Sequence, residues 1–325
     1  MCRVLAYIGE PLQISQLLLR PDNSIVNQSF DPEDHYMIQL AGFGLATWSK
    51  GTLSEDYPFI YKGIKPPFYD RNLGSLCERH ETNVLLCHIR ASGYDSLNYE
   101  AVVNENNCHP FIFPGFRLAM AHNGGVSGFK EIRLDLLNRC KPEIVKYVEG
   151  STDSEVVYAL LMSQLDEPTK DLNVDEIIEA IKKTIKVILD VQTQHNCTGL
   201  STLKLFLADS NDVLVANVGI GYNRELNVEG NWEDLKEYPR GTKEFSLSRL
   251  KGPVWSLKGK KFGNYEGYQM EPSSNGNEDI SSVIISSEPL TEEIGNWSMI
   301  PFQNLCFFNH NGGKPKVEIK PFDID

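Results

Sequence analysis

The stretch Met1-Cys2-Arg3-Val4-Leu5-Ala6-Tyr7-Ile8-Gly9 puts a short, mostly apolar run at the start of the chain, punctuated by Gly9 and Pro11. Such a run reads as a strand ended by those two residues. Chain ends ordinarily fray unless something ties them down, so a strand beginning at residue 2 implies a terminus built into the structure. Removal of Met1 would leave a thiol and a free amine on Cys2. Ordinary α-amines titrate near ~8 and thiols near ~8.5, so an uncharged amine can relay the thiol proton at small cost, without a separate histidine. Taken alone, Cys2 reads more readily as a small buried hydrophobe on a terminal strand.

Outward from this run, residues 84–89, 116–122, 203–208, 213–218, 283–286 and 304–308 are rich in Val, Ile, Leu and Phe and read as strands. The last is followed by Asn311-Gly312, a hairpin signal, and by a further strand at 317–319. Thr152-Asp153-Ser154-Glu155 is a capping-box pattern ahead of an apolar run, and Val174, Ile177, Ile178, Ile181, Ile185 and Ile188 recur at helical spacing. Shorter helices are expected near 14–19 and 129–137. Residues 263–279 are polar and Gly/Ser/Asn-rich and read as a surface loop. Strands on both sides of the helical stretch, with no linker between, predict one domain over 1–325 with sheets packed between helical layers.

Composition narrows the function. A hydrophobic fraction of 41% and a charged fraction of 23% are those of an ordinary globular chain. A net charge of -13 repels phosphate backbones and anionic membranes; Lys258, Lys260 and Lys261, the densest basic run, lead into what reads as a loop. No nucleic-acid or membrane partner is expected. With no signal-peptide pattern and no ~20-residue apolar stretch, the chain is expected to be cytoplasmic. Seven cysteines without a Cys-x-x-Cys pair suit neither a disulfide framework nor a zinc ribbon.

Three further motifs carry chemistry. In Cys87-His88-Ile89-Arg90-Ala91-Ser92 an apolar strand ends in an arginine, whose guanidinium can clamp a carboxylate with two parallel hydrogen bonds or simply form a surface ion pair. Ala121-His122-Asn123-Gly124-Gly125 ends another strand with an amide and two glycines, which suits an oxyanion hole or a tight hairpin turn. Asp153, at a helix start, either complements the helix dipole or holds a substrate ammonium group. No metal or cofactor is implied. His88, His109 and His122 match no metal spacing, and neighbours such as Cys108 and His109 point to opposite faces of a strand, which argues against a catalytic pair.

Taken in chain order, these pieces resemble the class II glutamine amidotransferases, the cysteine-nucleophile branch of the N-terminal nucleophile hydrolases. The matching segments are Met1-Cys2-Arg3, His88-Ile89-Arg90-Ala91-Ser92, Asn107-Cys108-His109-Pro110-Phe111, Ala121-His122-Asn123-Gly124-Gly125 and Gly150-Ser151-Thr152-Asp153-Ser154-Glu155. Residues 20–30 and Ser287-Glu288-Pro289-Leu290 with Trp297 look like the stand-alone amidotransferases of fungal glutathione degradation and, more distantly, the ergothioneine-pathway amidohydrolase. The resemblance implies a four-layer αββα sandwich. It implies Cys2 as nucleophile and base, Asn123 and Gly124 as oxyanion hole, Arg90 on the substrate α-carboxylate, Asp153 on its α-amine and His109 in the site wall.

The expected reaction is hydrolysis of a γ-glutamyl amide through a Cys2 thioester, with glutathione or another small γ-glutamyl compound as substrate. The fungal likeness implies a separate metallopeptidase subunit as partner. The alternatives are a glutaminase subunit feeding ammonia to a partner synthase, and a catalytically silent scaffold. The second is motivated by two departures: Leu40-Ala41-Gly42-Phe43-Gly44 lacks the polar residue the family carries before its first glycine, and Gly93 stands where Thr is common.

Overall fold

The computed structural model describes residues 2–32, 38–91, 103–221, 254–262, 270–272, 280–309 and 316–323. Strand β1 (Arg3–Gln13) is interior to the first sheet, antiparallel to β4 (Glu81–Ile89) on one side and β10 (Ser282–Ser286) on the other. The expected built-in terminus is therefore present. Beyond β4 lie β2 (Phe43–Trp48) and β3 (Phe59–Gly63). Beyond β10 come β8 (Trp255–Phe262), with β9 (Met270–Pro272) and β11 (Ser298–Met299) both paired to it. The second sheet runs β13 (Lys316–Pro321), β12 (Asn304–Asn309), β7 (Asp212–Ile220), β6 (Ser201–Ala208), β5 (Ala119–Gly125).

Period-two alternation decides what each strand faces. In β1, Val4, Ala6 and Ile8 join Phe206, Ala208, Val213 and Val215 of the second sheet in one cluster between the sheets. Leu5 and Tyr7 point the other way, against α1 (Ser15–Leu18), α2 (Ile25–Gln28) and α3 (Arg71–Cys77). On the far side, Leu203, Leu205 and Leu207 pack beneath α4 (Phe129–Asn138), α6 (Asp153–Gln164) and α7 (Val174–Gln194); the short α5 (Pro142–Val145) flanks them. Three clusters separate four layers, helix–sheet–sheet–helix, which is the expected αββα sandwich. Each large aliphatic or Phe side chain fully buried in these clusters contributes about 1.5–3 kcal/mol.

Local rules account for the two main helices. Asn173 and Glu176 exchange hydrogen bonds in a complete capping box at the start of α7, and Ile177, Ile181, Ile185 and Ile188 form its buried stripe. In α6 every residue from Ser154 to Ser163 is buried, so this helix has no solvent face. Thr152 caps it by accepting the Glu155 N–H, but Glu155 turns its carboxylate to the Glu149 and Gly150 N–H groups, so the box is only half formed.

Several sequence expectations are corrected. β1 does not stop at Gly9 and Pro11 but runs to Gln13 through a register shift between Ile8 and Leu12, a bulge that accommodates a proline without a ladder N–H. Gly9 is needed for close approach, since a Cβ there would lie 2.2 Å from Ser282 Oγ. The strand expected at 116–122 is shifted to Ala119–Gly125, so Asn123 and Gly124 pair with Lys204 and Leu203 inside a strand and form no hairpin turn. The basic run at 258–261, for which no strand was expected, belongs to β8. In the stretch expected as a loop, residues 270–272 form β9; 263–269 and 273–279 lie outside the described residues, as do Gly93 and the Asn311-Gly312 turn. No helix among the described residues is long and apolar enough to cross a membrane.

Candidate active site

The inter-sheet faces of the strands change character at one level. In β4 the series runs from His88 to Leu86 and Val84, in β5 from Asn123 to Ala121 and Ala119, in β6 from Lys204 to Phe206 and Ala208, and in β7 from Asn217 to Val215 and Val213. The registers align these changes: Val4 faces His88, Asn123 faces Lys204, and Lys204 faces Asn217. Cys2 and Ser287 sit one step beyond the apolar ends of β1 and β10, on the same inter-sheet side by alternation. A polar band thus crosses the mouth of an apolar sandwich.

Cys2 lies in this band, half-buried, with Sγ accepting the Ala91 N–H at 3.3 Å and the thiol reaching the Ala91 carbonyl at 3.6 Å. Its own carbonyl accepts Asn123 Nδ2–H across the gap at 3.0 Å. The same nitrogen donates to Ser287 Oγ at 3.3 Å. Behind the cysteine, Arg3 and Glu288 form an ion pair with both side chains 1–2% exposed, and Arg3 Nη1 reaches the Cys2 carbonyl at 3.5 Å. Removing either partner would strand a buried charge, at a cost of about 3–5 kcal/mol.

Arg90 follows β4 directly and is buried; its N–H donates to the Gly42 carbonyl (2.8 Å) and its carbonyl accepts the Ala41 N–H (3.1 Å). The departure at Ala41 is therefore in main-chain contact with the arginine. Gly42 has φ +93°, and a Cβ on it would lie 2.7 Å from Cys108 Sγ. His88 and His109 stack with centroids 3.9 Å apart, both buried, with no hydrogen-bond partner at any of their four ring nitrogens. Burial, then the positive charge of Arg90 and the His122 ring, push His88 down to about 3, although the His122 main chain lies near enough to favour protonation slightly. Burial likewise holds His109 well below the usual histidine range, with His88, His122, Arg90 and Lys62 adding to it. Both rings are neutral at pH 7. Lys62, lowered by desolvation, lies over Phe111 at 5.5 Å and closes this wall.

Asp153 does more than meet a helix dipole. Its Oδ2 accepts the Val126 N–H (2.8 Å) and its Oδ1 the Ser154 N–H (2.8 Å), so it joins α6 to the end of β5. His122 faces the helices: Nε2 must donate to the Thr202 carbonyl (2.9 Å), which leaves Nδ1 to accept from Ser154 Oγ (2.9 Å). Gly124 is exposed, and a Cβ there would lie 1.9 Å from the Thr202 carbonyl, so the neighbouring strand alone demands a glycine.

The structure thus brings Cys2, Asn123 and Arg90 to one end of the gap, with His109 beneath and Asp153 at the end of β5. Among the described residues no group of three His, Cys, Asp or Glu side chains could hold a metal ion. Sequence reasoning missed Lys204, 1% exposed and directly across from Asn123. The signal was available: a lysine at an inward position of a strand buried on both faces. It also left Ser287 and Glu288 without roles.

Comparisons with known proteins agree with this architecture. Residues 69–219 match the family described as glutamine amidotransferases class-II. The chain is 32% identical to the "Probable glutamine amidotransferase DUG3" of Saccharomyces cerevisiae, over 94% of this chain and 81% of that one. Among solved structures, a glutamine aminotransferase class-II domain protein from Silicibacter pomeroyi superposes with a TM-score of 0.59 at 17% identity, covering 99% of both chains. The glutamine phosphoribosylpyrophosphate amidotransferase of B. subtilis gives 0.53 at 13% identity, covering all of this chain and 50% of that one.

Proposed function

Since this chain belongs to the class II glutamine amidotransferases, we propose that it hydrolyses γ-glutamyl amide bonds through a thioester on Cys2 and that it acts as one domain, without a cofactor. The observation that carries this reading is the Asn123 amide held 3.0 Å from the Cys2 carbonyl, because it sets an amide donor beside the thiol from the opposite sheet. With Met1 removed, the Cys2 amine takes the thiol proton and Sγ attacks the substrate γ-carbonyl carbon. Negative charge collects on the carbonyl oxygen, where Asn123 Nδ2 and the Gly124 N–H meet it. Collapse expels the amine, which leaves with the proton from the Cys2 ammonium. Water then adds to the thioester, the Cys2 amine takes its proton, and glutamate departs as the thiol is restored.

Arg90 clamps the α-carboxylate and Asp153, through its remaining acceptor capacity, takes the α-ammonium. These contacts read only the glutamyl end, so the leaving amine sets the substrate. We assign a γ-glutamyl peptide, glutathione, on the likeness to the fungal stand-alone enzymes, with a separate metallopeptidase to hydrolyse the remaining dipeptide. A cytoplasmic site of action suits seven free thiols, five of them buried. The test is release of glutamate from glutathione and from glutamine by the purified chain lacking Met1. Faster release from glutathione supports the reading; release from glutamine alone rejects the substrate, and release from neither rejects the reaction.

A further inference from the structure

Ser287 and Glu288 follow β10, 164 and 285 residues along the chain from the side chains they engage, Asn123 and Arg3. Ser287 Oγ accepts the Val4 N–H at 3.0 Å and an Asn123 Nδ2 hydrogen at 3.3 Å, while its own N–H donates to the Val4 carbonyl at 3.0 Å. One hydroxyl therefore bridges the two sheets where the terminus enters. An amide nitrogen has two hydrogens. Here one goes to the Cys2 carbonyl and the other, at the longer distance, to Ser287. An oxyanion can draw on Asn123 only if one of these bonds is shared or exchanged.

We propose that Ser287 is a positioning residue for the γ-glutamyl hydrolysis assigned above, and the inference rests on that reading. Its Oγ fixes the plane and the flip state of the Asn123 amide and holds the second Nδ2 hydrogen until the oxyanion takes it. The amide is thereby aimed before substrate arrives, and reorientation in the transition state is small, the condition under which such donors are most effective. The Arg3–Glu288 pair performs a matching task for the nucleophile: with Arg3 Nη1 and Asn123 both on the Cys2 carbonyl, the peptide plane after Cys2 is fixed, which leaves the Cys2 amine only the rotation about the Cα–C bond.

The test is a double-mutant cycle in kcat with glutathione, or with glutamine if that is the faster substrate. Ser287→Ala is expected to lower kcat about tenfold with KM unchanged, and Ser287→Thr, which keeps the hydroxyl, to recover most of it. In an Asn123→Ala background the same Ser287→Ala change is expected to have no further effect on kcat. A purely structural serine would lower the melting temperature and act additively in the cycle; additive loss, or full kcat in Ser287→Ala, overturns the proposal. A wild-type chain without turnover on either substrate overturns the hydrolytic reading and this inference with it, whereas an active wild type with an additive cycle overturns this inference alone.

Discussion

Ala6 and Ile8 stand opposite Leu86 and Val84 on the same sheet face that, further along, carries Val4 opposite His88 and then Cys2 and Arg90; Ala121 and Phe206 stand likewise beside Asn123 and Lys204. Strands, twist and alternation are common to the two ends of this gap. Only the side chains differ. The apolar end closes the sandwich and fixes the distance between the sheets. The polar end inherits that distance, which brings Asn123 Nδ2 to 3.0 Å from the Cys2 carbonyl without a loop to carry either residue. Rigidity and chemistry are thus divided along the strands, and substitutions at the two ends should fail in different ways.

The largest separation is expected between Phe206→Ala and Asn123→Ala. Phe206 is fully buried, and its truncation should cost about 3–5 kcal/mol of stability while molecules that remain folded keep their kcat. Asn123→Ala should do the reverse, lowering kcat by roughly two to three orders of magnitude, about 3–4 kcal/mol of transition-state stabilisation, with a much smaller change in melting temperature. Denaturant midpoints and kcat measured on both variants check this; a Phe206→Ala enzyme that is fully stable but slow would break the division.

Asp153 tests where the division blurs, because it both joins α6 to β5 and is assigned to the substrate ammonium. Asp153→Asn should raise KM about tenfold with little change in kcat. It should also cost about 1–2 kcal/mol of stability, since only one of its two accepting oxygens survives. Unaltered KM with the stability loss present would leave Asp153 as a joint only.

The remaining effect concerns pH. His88 is held at about 3 in the folded chain, against roughly 6.5 in an unfolded one. Between those values the unfolded state binds the extra proton, so stability is full above about pH 6.5 and falls as pH drops toward 3. By pH 5 His88 alone should cost about 2 kcal/mol, and His109 shifts in the same direction. Thermal melts at pH 7 and pH 5 should show His88→Gln losing less stability than the wild type over that interval; equal losses would mean that His88 is not buried neutral.

Much of this was readable in the chain because the signals were local. The strand at the terminus, the His122-Asn123-Gly124-Gly125 and Thr152-Asp153 motifs and the isoleucine stripe of α7 each need only their neighbours. Other features depend on partners far along the chain. Gly9 and Pro11 resemble a strand end until pairing with β4 resumes at Leu12 and leaves them in a bulge, and Asn123-Gly124 resembles a turn until β6 pairs with it. β2 escaped notice because Gly44, Ala46 and Thr47 break up the run of Val, Ile, Leu and Phe by which the other buried strands are read. Ser287 looks like any serine after a strand; its meaning comes from Val4 and Asn123, and no periodicity announces a contact over 164 residues.

The central claim is that the chain is a hydrolase whose nucleophile is the residue after Met1, and intact mass tests it most directly. The purified protein is weighed before and after incubation with 6-diazo-5-oxo-norleucine, a γ-glutamyl electrophile, beside Cys2→Ala. The account predicts a mass lacking Met1 and a single covalent adduct that Cys2→Ala does not form. A retained Met1 with no adduct, or an adduct equal in the two proteins, would contradict it.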